Sequence, residues 1–216
     1  MPDVDLITVN EQSSIRIAGS SVLYFDPFHI ETSELDADIV FLTHGHYDHF
    51  SPEDIDKVAS GNALFVVPWK ILKELKDTGV SEDRIIAIKP GENKKITDRK
   101  GNTVNVEAVP AYNKVKPFHP KMQKWCGYVV SLDDTRFYIA GDTDALKENE
   151  DIKCDVAFIP IGGTYTMNYK EAAAFTNILK PDVVIPIHYG TIVGEKAYGE
   201  RFEELIDKDI RVVHKL

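Results

Sequence analysis

Ile39-Val40-Phe41-Leu42-Thr43-His44-Gly45-His46-Tyr47-Asp48-His49 is the stretch that decides how this chain folds and what it can do. Its first four residues are an unbroken apolar run, the pattern of a strand buried on both faces. The run leads directly into a loop holding three imidazoles and a carboxylate, His44, His46, Asp48 and His49. Imidazole nitrogen and carboxylate oxygen are the donors that zinc, manganese and iron take in hydrolytic sites. Alternation at His44 and His46 in an extended turn points both rings one way, and the next turn carries Asp48 and His49 to a second face of the loop. One loop therefore offers donors to two neighbouring ions. The plain alternative is a polar loop with histidines present by chance. It is opposed by their distribution, because the chain has 7 histidines and three of them fall here. His188 and Asp142 also stand at the ends of apolar strand-like runs, so ligand-type residues converge on one sheet edge.

Working outward, Ile15–Ile17 and Val22–Phe25 flank Gly19-Ser20 as a hairpin, and Asp26-Pro27 stops the second strand. Ser51 caps a helix predicted over Pro52–Val58, with Pro52 at its first position and acids near its positive end. Further strands are expected at Leu64–Val67, Ile85–Ile88, Val104–Val109, Gly127–Leu132, Arg136–Ala140, Val156–Ile161, Val183–Ile187 and Arg211–Val213. Helical spacing marks Lys70–Lys76, and further helices are expected over Ala172–Leu179 and near Glu200–Ile206. Asn168 and Glu171 form a capping-box pair before the second of these, which stops at Pro181. Strands alternate with helices, yet hairpins occur too. That mixture implies sheets packed on each other with helices outside.

The 216 residues are 43% hydrophobic and 28% charged, which fits one soluble globular domain spanning 1–216. A net charge of −10 repels phosphate backbones and anionic membranes, so nucleic-acid and membrane partners are not expected. The N-terminus shows no signal peptide and no window is long and apolar enough to span a bilayer, so the expected location is the cytoplasm. Cys126 and Cys154 lie in apolar stretches and read as buried core thiols. Two tryptophans and nine tyrosines leave room for a homo-oligomer interface.

The Thr43–His49 loop resembles the THxHxDH signature of the metallo-β-lactamase superfamily. Gly141-Asp142-Thr143 and Ile187-His188-Tyr189-Gly190 resemble its later motifs in order and spacing, and the resemblance covers nearly the whole chain. Within the superfamily, the Val109–Asn113 run with Lys116–Lys121, the Gly162–Met167 loop and Pro186–Gly190 look like the compact metal-dependent hydrolases near the ascorbate-6-phosphate lactonases. The resemblance implies a four-layer αββα sandwich of α/β class. It also implies a hydrolase with one or two zinc ions, manganese and iron being alternatives. His44 and His46 would bind one ion, Asp48, His49 and His188 a second, and Asp142 would bridge them. A hydroxide between the ions would be the nucleophile. Asp48, orienting that water, and His188 are the implied catalytic residues. Asp26 reads equally well as a partner of a ligand histidine or as a cap on a proline turn.

One position departs from the pattern. Where the superfamily supplies a third histidine to the first ion, this chain has Asn113. Three outcomes are open: Asn113 ligates weakly, His119 folds in to replace it, or the first ion is loose or absent. His29 reads as a loop residue and His214 as surface or edge strand. Lys114, Lys116, Lys121 and Lys124 share the Asn113 loop, and Lys116 and Lys121 are the candidates for steering an anionic substrate. The alternative is an ordinary solvated loop. Gly163 and Thr164 precede a helix N-terminus whose amides are suited to a phosphate or carboxylate. The implied reaction is cleavage of an ester, lactone or phosphodiester bond in a small anionic substrate. Glyoxalase II and the nucleases with an inserted domain would need more chain. Two rival functions stay open: an RNA or nucleotide phosphodiesterase, and a ligand sensor with a weakened metal site.

Overall fold

Each half of the chain builds one sheet. The computed structural model describes residues 2–216. The first half forms β1 (Ile7–Val9), β2 (Ile15–Ala18), β3 (Val22–Phe25), β4 (Ala37–Phe41), α1 (Pro52–Val58), β5 (Ala59–Pro68), α2 (Leu72–Asp77) and β6 (Ile85–Ile88). The second forms β7 (Asn93–Thr97), β8 (Thr103–Pro110), β9 (Cys126–Leu132), β10 (Thr135–Ile139), β11 (Val156–Pro160), α3 (Tyr169–Leu179), β12 (Val183–Ile187), α4 (Tyr198–Glu203) and β13 (Arg211–Val212). Strand order is sequential in both sheets, β1 to β6 and β7 to β13. Each sheet opens as an antiparallel meander and turns parallel, at β3–β4 in the first and β10–β11 in the second. Parallel neighbours need a crossover, and α1 to α4 supply most of them.

Side-chain alternation then sorts residues into layers. Ile15, Ile17, Phe25, Ile39 and Phe41 of the first sheet meet Val106, Tyr128, Val130, Ile139, Phe158 and Ile185 of the second in a shared core. The opposite face of the first sheet (Val40, Leu42, Phe65, Val67) is covered by Ile55 and Val58 of α1 and Leu75 of α2. The opposite face of the second (Tyr138, Ala157, Ile159, Val184) is covered by Ala172, Phe175 and Leu179 of α3 and Phe202 of α4. The result is the αββα order of layers, in a mixed α/β chain.

Local signals held where they rested on caps. Ser51 accepts a bond from the Asp54 amide at the start of α1, and the Asn168–Glu171 capping box opens α3. The helix expected over Lys70–Lys76 starts as a 3-10 turn at Trp69–Ile71, and the last helix begins earlier than expected. β1 and β7 were not expected. β7 carries Asn93-Lys94-Lys95, with only Ile96 buried, because it is an edge strand guarded by lysines. Cys126 is buried in β9, but Cys154 is only half buried, in the loop before β11, and corrects the expectation of two core thiols.

The β7–β8 turn is tied to the β2–β3 turn by a buried carboxylate. Asp98 accepts from Ser21 Oγ (2.7 Å), Lys100 N (2.8 Å) and Asn102 N (2.9 Å). Burial opposes its ionisation, but these donors together hold its pKa below the ordinary value of 3.8. A depressed carboxylate pKa contributes stability above the unfolded value that is lost as pH falls through the folded one. Asp98→Ala is expected to cost about 2 kcal/mol at neutral pH, read from urea midpoints. The deficit should shrink as pH drops below 3.8; a deficit unchanged in acid would refute the carboxylate's role.

Candidate metal centre

The parallel strands deliver their C-terminal ends to one edge of the sandwich, where α/β sheets place their ligand sites. Asp26 follows β3, Thr43 to His49 follow β4, Asp142 follows β10, and His188 follows β12. Asp26 (φ 45°) and His188 (φ 57°) take left-handed backbone conformations, uncommon for residues with a Cβ and concentrated where a site holds them. The loop 113–125 reaches in from the side between β8 and β9.

Three groups of donors form there. His44, His46 and His119 make one, His44, His49 and Asp142 a second, and Asp48, His49 and His188 a third, with the donor atoms of each within 4.8 Å of one another. His44 Nε2 lies 3.0 Å from His46 Nδ1 and 3.3 Å from His119 Nε2. Two nitrogens bound tetrahedrally to zinc at 2.0–2.1 Å stand roughly 3.3 Å apart, so these rings are spaced for one ion. Asp142 Oδ2 lies 3.3 Å from both His119 Nε2 and His188 Nε2, and Asp142 Oδ1 lies 3.3 Å from His49 Nε2. Asp48 Oδ2 lies 3.4 Å from His188 Nε2 and 3.5 Å from His49 Nε2.

Three of these atoms make no hydrogen bond among the described residues. His49 Nε2, Asp142 Oδ1 and His188 Nε2 are buried and have no hydrogen-bond partner. Unpaired buried polar atoms are costly. Several aimed at one point are accounted for by a cation between them, so the donors present fit the metal that the motif implies.

The outer nitrogens of His44 and His49 are anchored. His49 Nδ1 lies 2.7 Å from Asp26 Oδ2, so the two side chains are hydrogen-bonded. The Thr43 hydroxyl donates its proton to Asp26 Oδ2 (2.6 Å), so it accepts from His44 Nδ1 (3.0 Å), leaving His44 Nε2 bare and facing inward. Burial pushes the pKa of His44 well down, lowers that of His46, and lowers that of His119 to about 4, so these rings stay neutral as ligands must. His49 goes the other way: burial disfavours its charge, but Asp142 and Asp26 hold its pKa well above 6.5.

The site opens into a 290 Å³ cleft lined by His46, Tyr47, Asp48, Phe118, His119, Asp142, Tyr165 and Ile192. Of the three outcomes at the Asn113 position, the geometry matches the second. His119 stands with His44 and His46, while Asn113 Oδ1 lies behind it, 3.0 Å from His119 Nδ1. The expected substrate residues are placed elsewhere. Lys116 is paired with Asp144 and Lys121 with Glu148, and neither lines the cleft. Gly163 spends its amide on Met167 O, Thr164 is exposed, and the Asn168 side chain occupies the amides at the start of α3. The glycine pair has a packing reason instead: a Cβ on Gly162 would collide with the His188 carbonyl oxygen, and Gly163 sits at φ 86°. His29 pairs with Glu11 and His214 with Glu203, both exposed. Residue-by-residue reading missed Thr43 as an anchor, Asp144, and the cleft walls Tyr47, Phe118, Tyr165 and Ile192. An acid two residues beyond Asp142, facing a lysine-rich loop, was the available signal for Asp144.

The sequence profile of the beta-lactamase superfamily domain matches residues 6–188. A UPF0173 metal-dependent hydrolase of Thermococcus onnurineus is 31% identical over 213 residues, covering 93% of this chain and 92% of the relative. Among solved structures, a metal-dependent hydrolase of Parabacteroides distasonis, assigned provisionally, superposes with a TM-score of 0.78 at 29% identity over 97% of this chain and 92% of its own. Igni18, a metallo hydrolase of Ignicoccus hospitalis, shares the fold with a TM-score of 0.76 at 24% identity over 97% of this chain and 94% of its own. With that fold and that cluster of donors, the chain belongs to the beta-lactamase superfamily and, within it, to the UPF0173 metal-dependent hydrolases.

Proposed function

We propose that this chain hydrolyses an ester, lactone or phosphodiester bond of a small substrate with two adjacent cations, zinc being the metal the donor set suits best. His44, His46 and His119 hold one position, Asp48, His49 and His188 the other, and Asp142 serves both. The convergence of unpaired buried donor atoms supports this reading above all else. Cations bound there supply Lewis acidity and make water acidic near neutral pH.

The chain's own residues do the rest. Asp48 lines the cleft and stays ionised: burial opposes this, but His188 and His49 override it and hold its pKa below the usual carboxylate range. Its carboxylate lines the cleft together with that of Asp142 and would orient the attacking water. Tyr47, Phe118, Tyr165 and Ile192 exclude water around the scissile bond and grip an apolar body. Because Lys116 and Lys121 are spent on Asp144 and Glu148, negative charge on the substrate is met at the cation positions. A third imidazole beside His44 and His46 favours the hydrolase over a sensor with a degraded first position. The net charge of −10 weighs against RNA.

Elemental analysis of chelator-free protein is the test, coupled to assays with p-nitrophenyl esters, lactones and bis(p-nitrophenyl) phosphate. About two cations per chain are expected in the wild type and about one in His119→Ala, with turnover lost to chelator and restored by zinc or manganese. Fewer than one cation per chain after zinc loading, with no turnover, would overturn the proposal.

A further inference from the structure

Asn113 turns its oxygen toward His119, and it is 5% exposed and hydrogen-bonded through both of its side-chain polar atoms. Its Nδ2 donates to Tyr165 O (2.8 Å) and to Asp144 Oδ1 (3.1 Å), a carbonyl and a carboxylate oxygen that accept. Its Oδ1 accepts from the His119 amide (3.2 Å), which can only donate. Three fixed partners thus leave the side-chain amide one orientation, with oxygen toward His119 and nitrogen away. Oδ1 stands 3.0 Å from His119 Nδ1, so that nitrogen carries the proton and Nε2 carries the lone pair. Nε2 is the atom facing His44 Nε2 and Asp142 Oδ2.

The network extends one step further out. Asp144 also accepts from Lys114 N (2.8 Å) and Lys116 Nζ (2.9 Å), and Lys116 Nζ bonds Thr166 O (2.5 Å). The Asn113 amide N–H returns to His119 O (2.8 Å), closing the loop between the two residues into a ring.

We propose that Asn113, held in one orientation by Asp144 and the Tyr165 carbonyl, is the positioning residue that sets the His119 tautomer and so completes the first cation position. Lys116, expected at first to steer substrate, acts here through Asp144 to hold that amide. The proposal rests on the two-cation reading above, and its test separates the two. Residues that orient a ligand histidine through its second nitrogen commonly change metal affinity by roughly 10–100-fold.

The experiment measures zinc affinity by chelator competition in wild type, His119→Ala, Asn113→Ala and Asn113→Asp. ¹⁵N shifts of the His119 ring in zinc-free protein report the tautomer. Asn113→Ala is expected to weaken one of two zinc ions roughly 10–100-fold, leave the other unchanged, and lose the single Nδ1–H tautomer. Asn113→Asp keeps an acceptor behind His119, so it should retain the tautomer and bind that ion more tightly than Asn113→Ala. Wild-type affinity and tautomer in Asn113→Ala would overturn the proposal, as would equal loss in both variants. If His119→Ala itself binds two ions with wild-type affinity, the ligand set is wrong and the parent reading fails instead.

Discussion

Asp142→Asn is expected to lower kcat/KM by at least about 10³-fold and to reduce bound cation from about two per chain to below one. The carboxylate is 4% exposed, and its two oxygens stand 3.3 Å from imidazole nitrogens of His49, His119 and His188. Among the described residues it is the carboxylate paired with histidines of both proposed positions, whereas Asp48 faces only His49 and His188. Burial raises the cost of its charge, but the surrounding histidines, His188 and His49 first, keep it ionised. Asparagine has nearly the same shape, so the packing of β10 against its neighbours is preserved. What changes is one unit of charge, together with an N–H that must point at nitrogens meant to hold a cation. Steady-state kinetics at saturating zinc, with elemental analysis of the same samples, measure both effects. Activity within tenfold of wild type with two ions retained would show that the positions do not share Asp142.

How far this site could be read in advance depended on where each residue sits relative to a strand. His44, His46, Asp48 and His49 were legible because they form one motif directly after a fully buried strand. Asp142 and His188 were legible because each closes an apolar run. His119 was not, since it lies in a loop without periodicity and meets His44 across 75 residues of chain. Tertiary placement alone decides whether it or Asn113 approaches the centre. Asp26 lies 23 residues from His49, and neither its cap nor its anchor role had a local signature.

The lysines show the opposite failure. Four cations without an acid between them look like a basic rim, but Asp144 and Glu148 arrive from the loop after β10 and pair with Lys116 and Lys121. Charge runs read along a sequence omit what folds onto them. The fold itself was legible wherever a strand was buried on one or both faces, and failed at β1 and β7. A three-residue strand and a lysine-bearing edge strand offer too little apolar pattern to distinguish them from loop.

Asp26→Ala is expected to destabilise the cation-free protein by about 3–5 kcal/mol and to flatten the dependence of its stability on pH. Asp26 is wholly buried and accepts from Thr43 N (2.7 Å), Thr43 Oγ1 (2.6 Å) and His49 Nδ1 (2.7 Å). Burial raises its pKa and the carboxylates raise that of His49, so the pair holds a proton tightly. The sign for His49 follows from linkage. A folded pKa above the unfolded value of 6.5 gives stability that is fully present below 6.5 and is lost as pH rises through the folded value. Chelated wild type should therefore weaken as pH climbs above 6.5 towards the raised folded value. Cations compete with the proton on His49 Nε2, so their binding should release protons and tighten over the same range. In Asp26→Ala three buried donors lose their acceptor at once and His49 keeps only Asp142, so the slope shrinks along with the stability. Urea unfolding of chelated wild type and variant across that pH range measures both. A loss under 1 kcal/mol, or a wild-type slope of the opposite sign, would mean that Asp26 does not hold a charged His49 in the cation-free fold.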